Sequence, residues 1–227
     1  MMQFMAIRQQ LLEQINSGQL DPGQKLPSER QLAEAFHTTR VTLREALAVL
    51  EAEGRIYRLD RRGWFIAPNP WRYNPSDLMD WTTDFAAQGG QFAIQKETTT
   101  LASAEMSQQM HLPPFSAIYQ AEGIVSSVGV PVGYVRTYLQ PDYYPQYQQQ
   151  TMSEKLSANV TIHQCHWTSR WEALEGAPMA ALNVAVGTPA LKLERHWLIE
   201  RAGQLQAIRV DEEWWRQHAI ALSSHSR

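Results

Sequence analysis

Apolar residues recur at helical spacing from the start of the chain: Ile7, Leu11, Leu12 and Ile15, followed by Gly18, predict a first helix. A turn-rich stretch, LDPGQKLP, separates it from a second. There Ser28 and Gln31 form the S-x-x-Q pattern of a capping box, ahead of an inward face of Leu32, Ala33 and Phe36. The polar run HTT then breaks the period. Either Thr38 or Thr39 can cap a third helix, whose buried face is Leu43, Ala46, Leu47 and Leu50 and whose stop, after about Glu53, is Gly54. RIYRL and GWFIA follow with DRR between them, which predicts two short strands joined by a tight turn.

The segment PNPWRYNPSD carries three prolines and no apolar period, so residues 68–78 are expected to be a semi-rigid connector. It divides a domain over 1–67 from one over 79–227. Beyond it, β-rich runs such as SAIYQAEGIVS, VPVGYVRTYL and PALKLERHWLI alternate with Gly and Pro turn signals, and helical stretches are expected near 79–88, 102–110 and 178–185. The fold class is α+β, a three-helix-and-hairpin domain followed by an antiparallel-sheet domain.

Composition narrows this modestly. A 44% apolar content suits ordinary globular cores, and no apolar run approaches the roughly 20 residues of a membrane span. The opening run MMQFMAIRQQLLEQI lacks the pattern of a secretory signal, and a cytoplasmic location with no membrane partner is expected. One cysteine, Cys165, excludes an internal disulfide framework and a cysteine-rich zinc site. The net charge of −3 conceals an asymmetry: residues 1–70 hold nine Lys/Arg against eight Asp/Glu, whereas the rest is acidic.

Helix, helix, short turn, helix and hairpin is the order of a winged helix-turn-helix. Its third helix keeps the leucines on the core and turns its first residues toward a major groove. Thr39, Arg40, Val41, Thr42 and Arg44 lie in or beside that turn. Arginine can grip guanine O6 and N7, threonine a base edge or phosphate, and valine a thymine methyl. Arg30, near the start of the second helix, is placed for a backbone or base-edge contact, and Arg58, Arg61 and Arg62 crowd the hairpin, where a wing meets a minor groove or phosphates. Arg44 has Leu47 and Ala48 three and four residues on, so the usual helical ion pair is closed to it.

Residues 26–67, with P-S-E-R-x-L-A and then T-R-x-T-x-R-E-A-L-x-x-L-x-x-E-G, resemble the winged-helix domain of GntR-type bacterial transcription regulators. The resemblance implies binding of double-stranded operator DNA through Arg30, Thr39, Arg40, Thr42 and Arg44, with Gly63 at the wing tip. Two residues depart from the pattern. Arg61 stands where the family usually has glycine, and Trp64 where a small residue or threonine is common. The wing D-R-R-G-W-F is similar to that of the branch regulating phosphonate use.

Residues 79–227 resemble the UTRA effector domain of the HutC-like subfamily, through GVPVGYVRTYLQPDYYP and AALNVAVGTPALKLERHWLIERAGQ. The implied fold is an antiparallel sheet with helices, similar to chorismate lyase, without implied catalysis. Where several relatives hold a phosphorylated ligand with an Arg-x-Arg pair and a glutamate, this chain has Gly123, Val125 and Val135. A smaller or less anionic effector is therefore expected, near Asp80 and Trp81, with Arg136, Thr137 and Trp215 as further candidates, although core packing explains either tryptophan equally well.

The run HQCH, His163 to His166, is too tightly spaced for a structural zinc site, and no metal or cofactor is expected. No G-x-S-x-G, P-loop or G-x-G-x-x-G pattern points to an enzyme. The alternative is an interaction module or enzyme-like small-molecule binder without an operator. The expectation is a repressor, acting as a homodimer on a pseudo-palindrome and controlled by a small metabolite.

Overall fold

The computed structural model describes residues 3–59, 61–77, 81–143 and 162–223. The helical periods of the first third form α1 (Gln3–Asn16), α2 (Glu29–Ala35) and α3 (Arg40–Ala52). The capping box is closed in both directions: Ser28 Oγ accepts from the Gln31 backbone N–H at 3.3 Å, and the Ser28 backbone N–H donates to Gln31 Oε1 at 3.0 Å. Thr39 is the cap of α3, its hydroxyl accepting from the Thr42 N–H at 3.2 Å, while the Thr38 hydroxyl is buried without a partner among the described residues. At the far end Gly54 takes φ +67°, the left-handed stop that only glycine adopts freely.

The hairpin forms as β1 (Ile56–Leu59) and β2 (Gly63–Ile66), antiparallel, with Leu59 opposite Gly63. Leu43, Ala46, Leu47 and Leu50 of α3 meet Ile7 and Leu11 of α1, Leu32 of α2, and Ile56, Trp64 and Ile66 of the hairpin in one core.

The second domain is built on an antiparallel six-stranded sheet in the order β4-β5-β6-β9-β8-β7. Its strands are β4 (Gly90–Leu101), β5 (Ala117–Ser127), β6 (Val130–Leu139), β7 (Gln164–Ala173), β8 (Pro189–Arg201) and β9 (Gln204–Arg216). Alternation gives the sheet two faces. On one, α5 (Ala104–Gln109) packs through Met106 against Ile118 and Val210, and α6 (Gly176–Leu182) packs through Leu182 against Tyr134 and Trp214. On the other, α4 (Trp81–Ala87) brings Trp81 and Phe85 against Val125, Val135, Leu193 and Trp215. These helices answer to the three expected stretches.

The connector expected over 68–78 differs in the structure. Trp71–Tyr73 form β3, paired in parallel with β10 (Ile220–Leu222), and Trp71 and Tyr73 are buried in the second domain's core. The prolines do keep the backbone extended, but the alternation Trp-Arg-Tyr gives that extended backbone an apolar side to bury. Only residues 67–70 are left to link the two packed units.

Buried tyrosines make the second domain sensitive to alkali. Burial first, then Glu213, pushes the Tyr73 phenol well above its ordinary value of 10, against the pull of Arg195, and burial with a bond to Glu122 pushes Tyr134 up to about 12. The folded state thus holds these protons more tightly than the unfolded chain. Their contribution is fully present below about pH 10 and is lost as pH rises through the raised folded values. Melting temperatures are expected to stay level from about pH 7 to 9 and to fall above about pH 10, less steeply in Tyr134→Phe. A level profile to about pH 11 contradicts this.

Candidate DNA-reading surface and effector domain

The first turn of α3 stands clear of the core. Val41 is 69% exposed although it is apolar, and Arg40 and Arg44 are exposed beside it. The helix N-terminus adds the positive end of its dipole there, which favours a phosphate. Thr39 sits in this turn, but its hydroxyl is engaged by the Thr42 N–H and lies 3.1 Å from the Thr42 hydroxyl, so both threonines shape the turn as well as facing outward. Arg30, in the first turn of α2, pairs with Glu34 at 3.5 Å on an open surface. Such a pair is weak enough to be exchanged for a phosphate.

Arg44 has the ion-pair partner that its own helix could not supply. Its Nε lies 2.7 Å from Glu29 Oε2, and the Trp64 indole N–H donates to Glu29 Oε1 at 3.2 Å. Burial raises the Glu29 carboxyl, but hydrogen bonds from Arg44 and Trp64 and the charges of Arg44 and Arg58 more than offset that and hold it below its usual range. One carboxylate therefore ties together the start of α2, the recognition turn and the wing. Glu29 was invisible as a functional residue in the sequence, because its partners are 15 and 35 positions away. Trp64 was visible as a departure, and this bond is its physical use.

The wing arginines are placed by aromatic faces. The Arg58 guanidinium lies over the Trp64 ring at 5.8 Å and that of Arg62 over Phe65 at 5.7 Å, within cation–π range. Arg61 takes φ +54° and Gly63 φ +96°. The residue at 61 thus adopts the left-handed backbone that glycine accepts without cost and that an arginine holds at roughly 1–2 kcal/mol. The wing tip thus carries a charge on a strained backbone position.

The structure does not assemble the five effector candidates into one site. Asp80 lies outside the described residues. Trp81 and Trp215 pack with Trp71, ring centroids 5.7 and 5.6 Å from it, in the core of one sheet face. Thr137, fully buried on that face, donates to Asp211 Oδ1 at 2.7 Å. Arg136 points to the opposite face, between Glu122 and Glu212 at 3.4 and 3.6 Å and against the Trp214 ring. Adjacent positions on a strand cannot serve one pocket, which separates Arg136 from Thr137. Gly123, Val125 and Val135 share the aromatic face: a side chain at Gly123 would fall 2.4 Å from the Phe92 ring, and both valines are fully buried. Aromatic rings fill the ground where relatives are expected to hold an anion.

Under these rings runs a buried polar network. Arg195, fully buried, donates to Tyr73 Oη at 2.7 Å, Pro75 O at 3.0 Å and Asp77 O at 3.1 Å, and lies 3.4 Å from Glu213. It straps residues 73–77 to the sheet. In the HQCH run, β7 turns Cys165 and His166 to opposite faces, and Cys165 Sγ donates to Pro75 O at 3.4 Å.

Comparison with known proteins agrees with this division of labour. The profile described as "Bacterial regulatory proteins, gntR family" matches residues 5–66, and that of the UTRA domain matches residues 94–219. The chain is 29% identical over 220 residues to the uncharacterized HTH-type transcriptional regulator YihL of Escherichia coli K12, covering 92% of this chain and 91% of that one. It is 25% identical over 199 residues to the histidine utilization repressor of Pseudomonas putida, covering 85% and 80%. The crystal structure of PhnF from Mycobacterium smegmatis has the same fold, with a TM-score of 0.63 at 21% identity over 97% of this chain and 99% of that one. A winged reader matched by one profile and a sheet domain matched by the other place this chain in the GntR family of bacterial transcription regulators, in the branch that carries a UTRA domain, whose members are DNA-binding regulators and not enzymes.

Proposed function

We propose that the chain is a repressor that binds a pseudo-palindromic operator as a homodimer and leaves it when a small molecule occupies the effector domain. Residues 1–67 are the reader and 79–227 the sensor, with β3 of the intervening segment committed to the sensor. The protein works in the cytoplasm. The observation that carries the reading is the exposed Arg40-Val41-Arg44 turn, tied through Glu29 to an arginine-bearing wing. In each half of the dimer α3 enters a major groove, with half-sites about 34 Å apart, and Arg58, Arg61 and Arg62 reach the flanking minor groove or phosphates.

Footprinting on genomic fragments selected by the protein tests this, with the salt dependence of affinity measured in parallel. A two-fold-symmetric protected site is expected, and binding without sequence preference overturns the reading. Arg61→Gly separates the wing from the helix. It relieves the positive φ at 61 and removes one charge, so affinity should fall evenly across sequences and the salt slope should flatten by about 1. Effector binding and operator binding must weaken each other by the same factor.

A further inference from the structure

Reader and sensor meet across a cavity of about 620 Å³, within the range of small-molecule sites. Its walls come from both units and from the link between them: Glu51 at the end of α3, Ile56 and Tyr57 of β1, Pro68 of the link, and Val130 and Arg216 of the sensor. The units are held at its rim. His218 Nε2 donates to Ala52 O at 2.9 Å, and a side chain at Gly54 would collide with the His218 ring at 2.2 Å.

Three of the residues that line this wall carry a buried polar atom with no hydrogen-bond partner among the described residues: Tyr57 Oη, Trp71 Nε1 and Arg216 Nε. Trp71 is 4% exposed and Arg216 9%. Native interiors rarely leave such atoms unpaired, and three around one cavity mark a place where acceptors are missing. Two are N–H donors and the third is a hydroxyl.

The charges around the cavity point the same way. Burial raises the Glu51 carboxyl, opposed by the charge of Arg58 and a bond from its backbone, and His218 is engaged by a carbonyl. Arg216 stacks on Tyr57 at 5.2 Å and donates to the Leu182 carbonyl, but no carboxylate among the described residues pairs with it. Burial pulls its guanidinium down to about 10, with only Tyr57 opposing. Arg195, by contrast, has Glu213 and three oxygen acceptors beside it.

We propose that this cavity binds a small organic monocarboxylate, its anionic end on Arg216, Trp71 and Tyr57 and its apolar body against Ile56, Val130 and the ring of Phe85. A water molecule would satisfy the donors and leave the guanidinium uncompensated. A phosphate dianion would need more donors than the three present and would gain nothing from the apolar wall. Since the wall belongs to both units, occupancy fixes the spacing between reader and sensor. Only that regulatory consequence rests on the repressor reading; binding itself is measured without DNA, so its failure and a failure of operator recognition are told apart.

The full chain is titrated calorimetrically with benzoate, phenylacetate and the neutral benzamide. Saturable binding of at least one of the carboxylates is expected, with benzamide at least about tenfold weaker and the same loss for the carboxylate in Arg216→Met, equivalent to about 1.4 kcal/mol or more. Tyr57→Phe keeps the ring and removes the hydroxyl, and should weaken binding about threefold or more even if Arg216→Met fails to fold. The site is overturned if neither carboxylate saturates, if benzamide binds equally well, or if the folded variants keep full affinity.

Discussion

Arg195→Met is expected to cost the sensor about 3–5 kcal/mol, the penalty for removing one partner of a buried charge pair. Methionine is long enough to fill much of the space, so the loss is electrostatic rather than a cavity effect. Without the guanidinium, Glu213 is left as a fully buried carboxylate beside Asp211, and the carbonyls of Pro75 and Asp77 lose their donor. At roughly 2–4 °C per kcal/mol for a chain of this size, the melting temperature should drop by about 6–20 °C. Replacing both charges, in Arg195→Met with Glu213→Leu, should recover part of the loss, because a pair removed together leaves no lone charge. Thermal melts of the two variants decide it: a single variant melting within about 2 °C of the native chain shows that the network does not hold the fold.

That network also explains what the sequence hid. The reader was legible almost residue by residue, because its signals are local: a capping box, a threonine cap, a left-handed glycine and a run of leucines at helical spacing. The sheet was legible only where apolar alternation survives, in β5, β6 and β8. Strand β9 carries Arg209, Asp211 and Glu213 at buried positions, and its charges mask a strand that is interior along most of its length. Edge strands β4 and β7 escape for the opposite reason, since most of their side chains face outward. Tyr73 and Trp71 read as connector because nothing in a local window reveals a strand pairing across nearly 150 residues.

The candidate site divides along the same line. The sequence places Arg40, Val41 and Arg44 in the first turn of a helix and Arg58, Arg61 and Arg62 in a hairpin, and the structure has them in α3 and in the β1–β2 hairpin. Of the effector candidates, Trp81 and Trp215 pack in one aromatic core and Thr137 bonds Asp211 on the same face of the sheet. Arg136 adjoins Thr137 in sequence, and strand alternation sends it to the other face, between Glu122 and Glu212. Long-range pairings, such as Glu29 with Arg44 and Trp64, have no sequence period to announce them.

The two arginines of the recognition turn should fail in different ways. Arg40 opens α3 on an exposed surface, so Arg40→Ala should leave stability within about 0.5 kcal/mol while lowering operator affinity by about 1–3 kcal/mol, if its contact is bidentate to a base. Arg44→Ala should lose a similar amount of affinity and also disturb the wing, because Glu29 then keeps only the Trp64 N–H and the more distant charge of Arg58. The pair is exposed on the arginine side, so its own stability effect should stay below about 1 kcal/mol. Glu29→Gln is the discriminating variant. It touches no base, but it frees Arg44 and loosens the wing, so operator affinity should fall by less than in Arg44→Ala. The combined variant should be no weaker than Arg44→Ala alone, since both act through one tie. Equilibrium binding of a labelled operator, with melts to confirm folding, measures all four. If folded Arg40→Ala and Arg44→Ala both hold the operator as tightly as the native chain, α3 is not the reading helix.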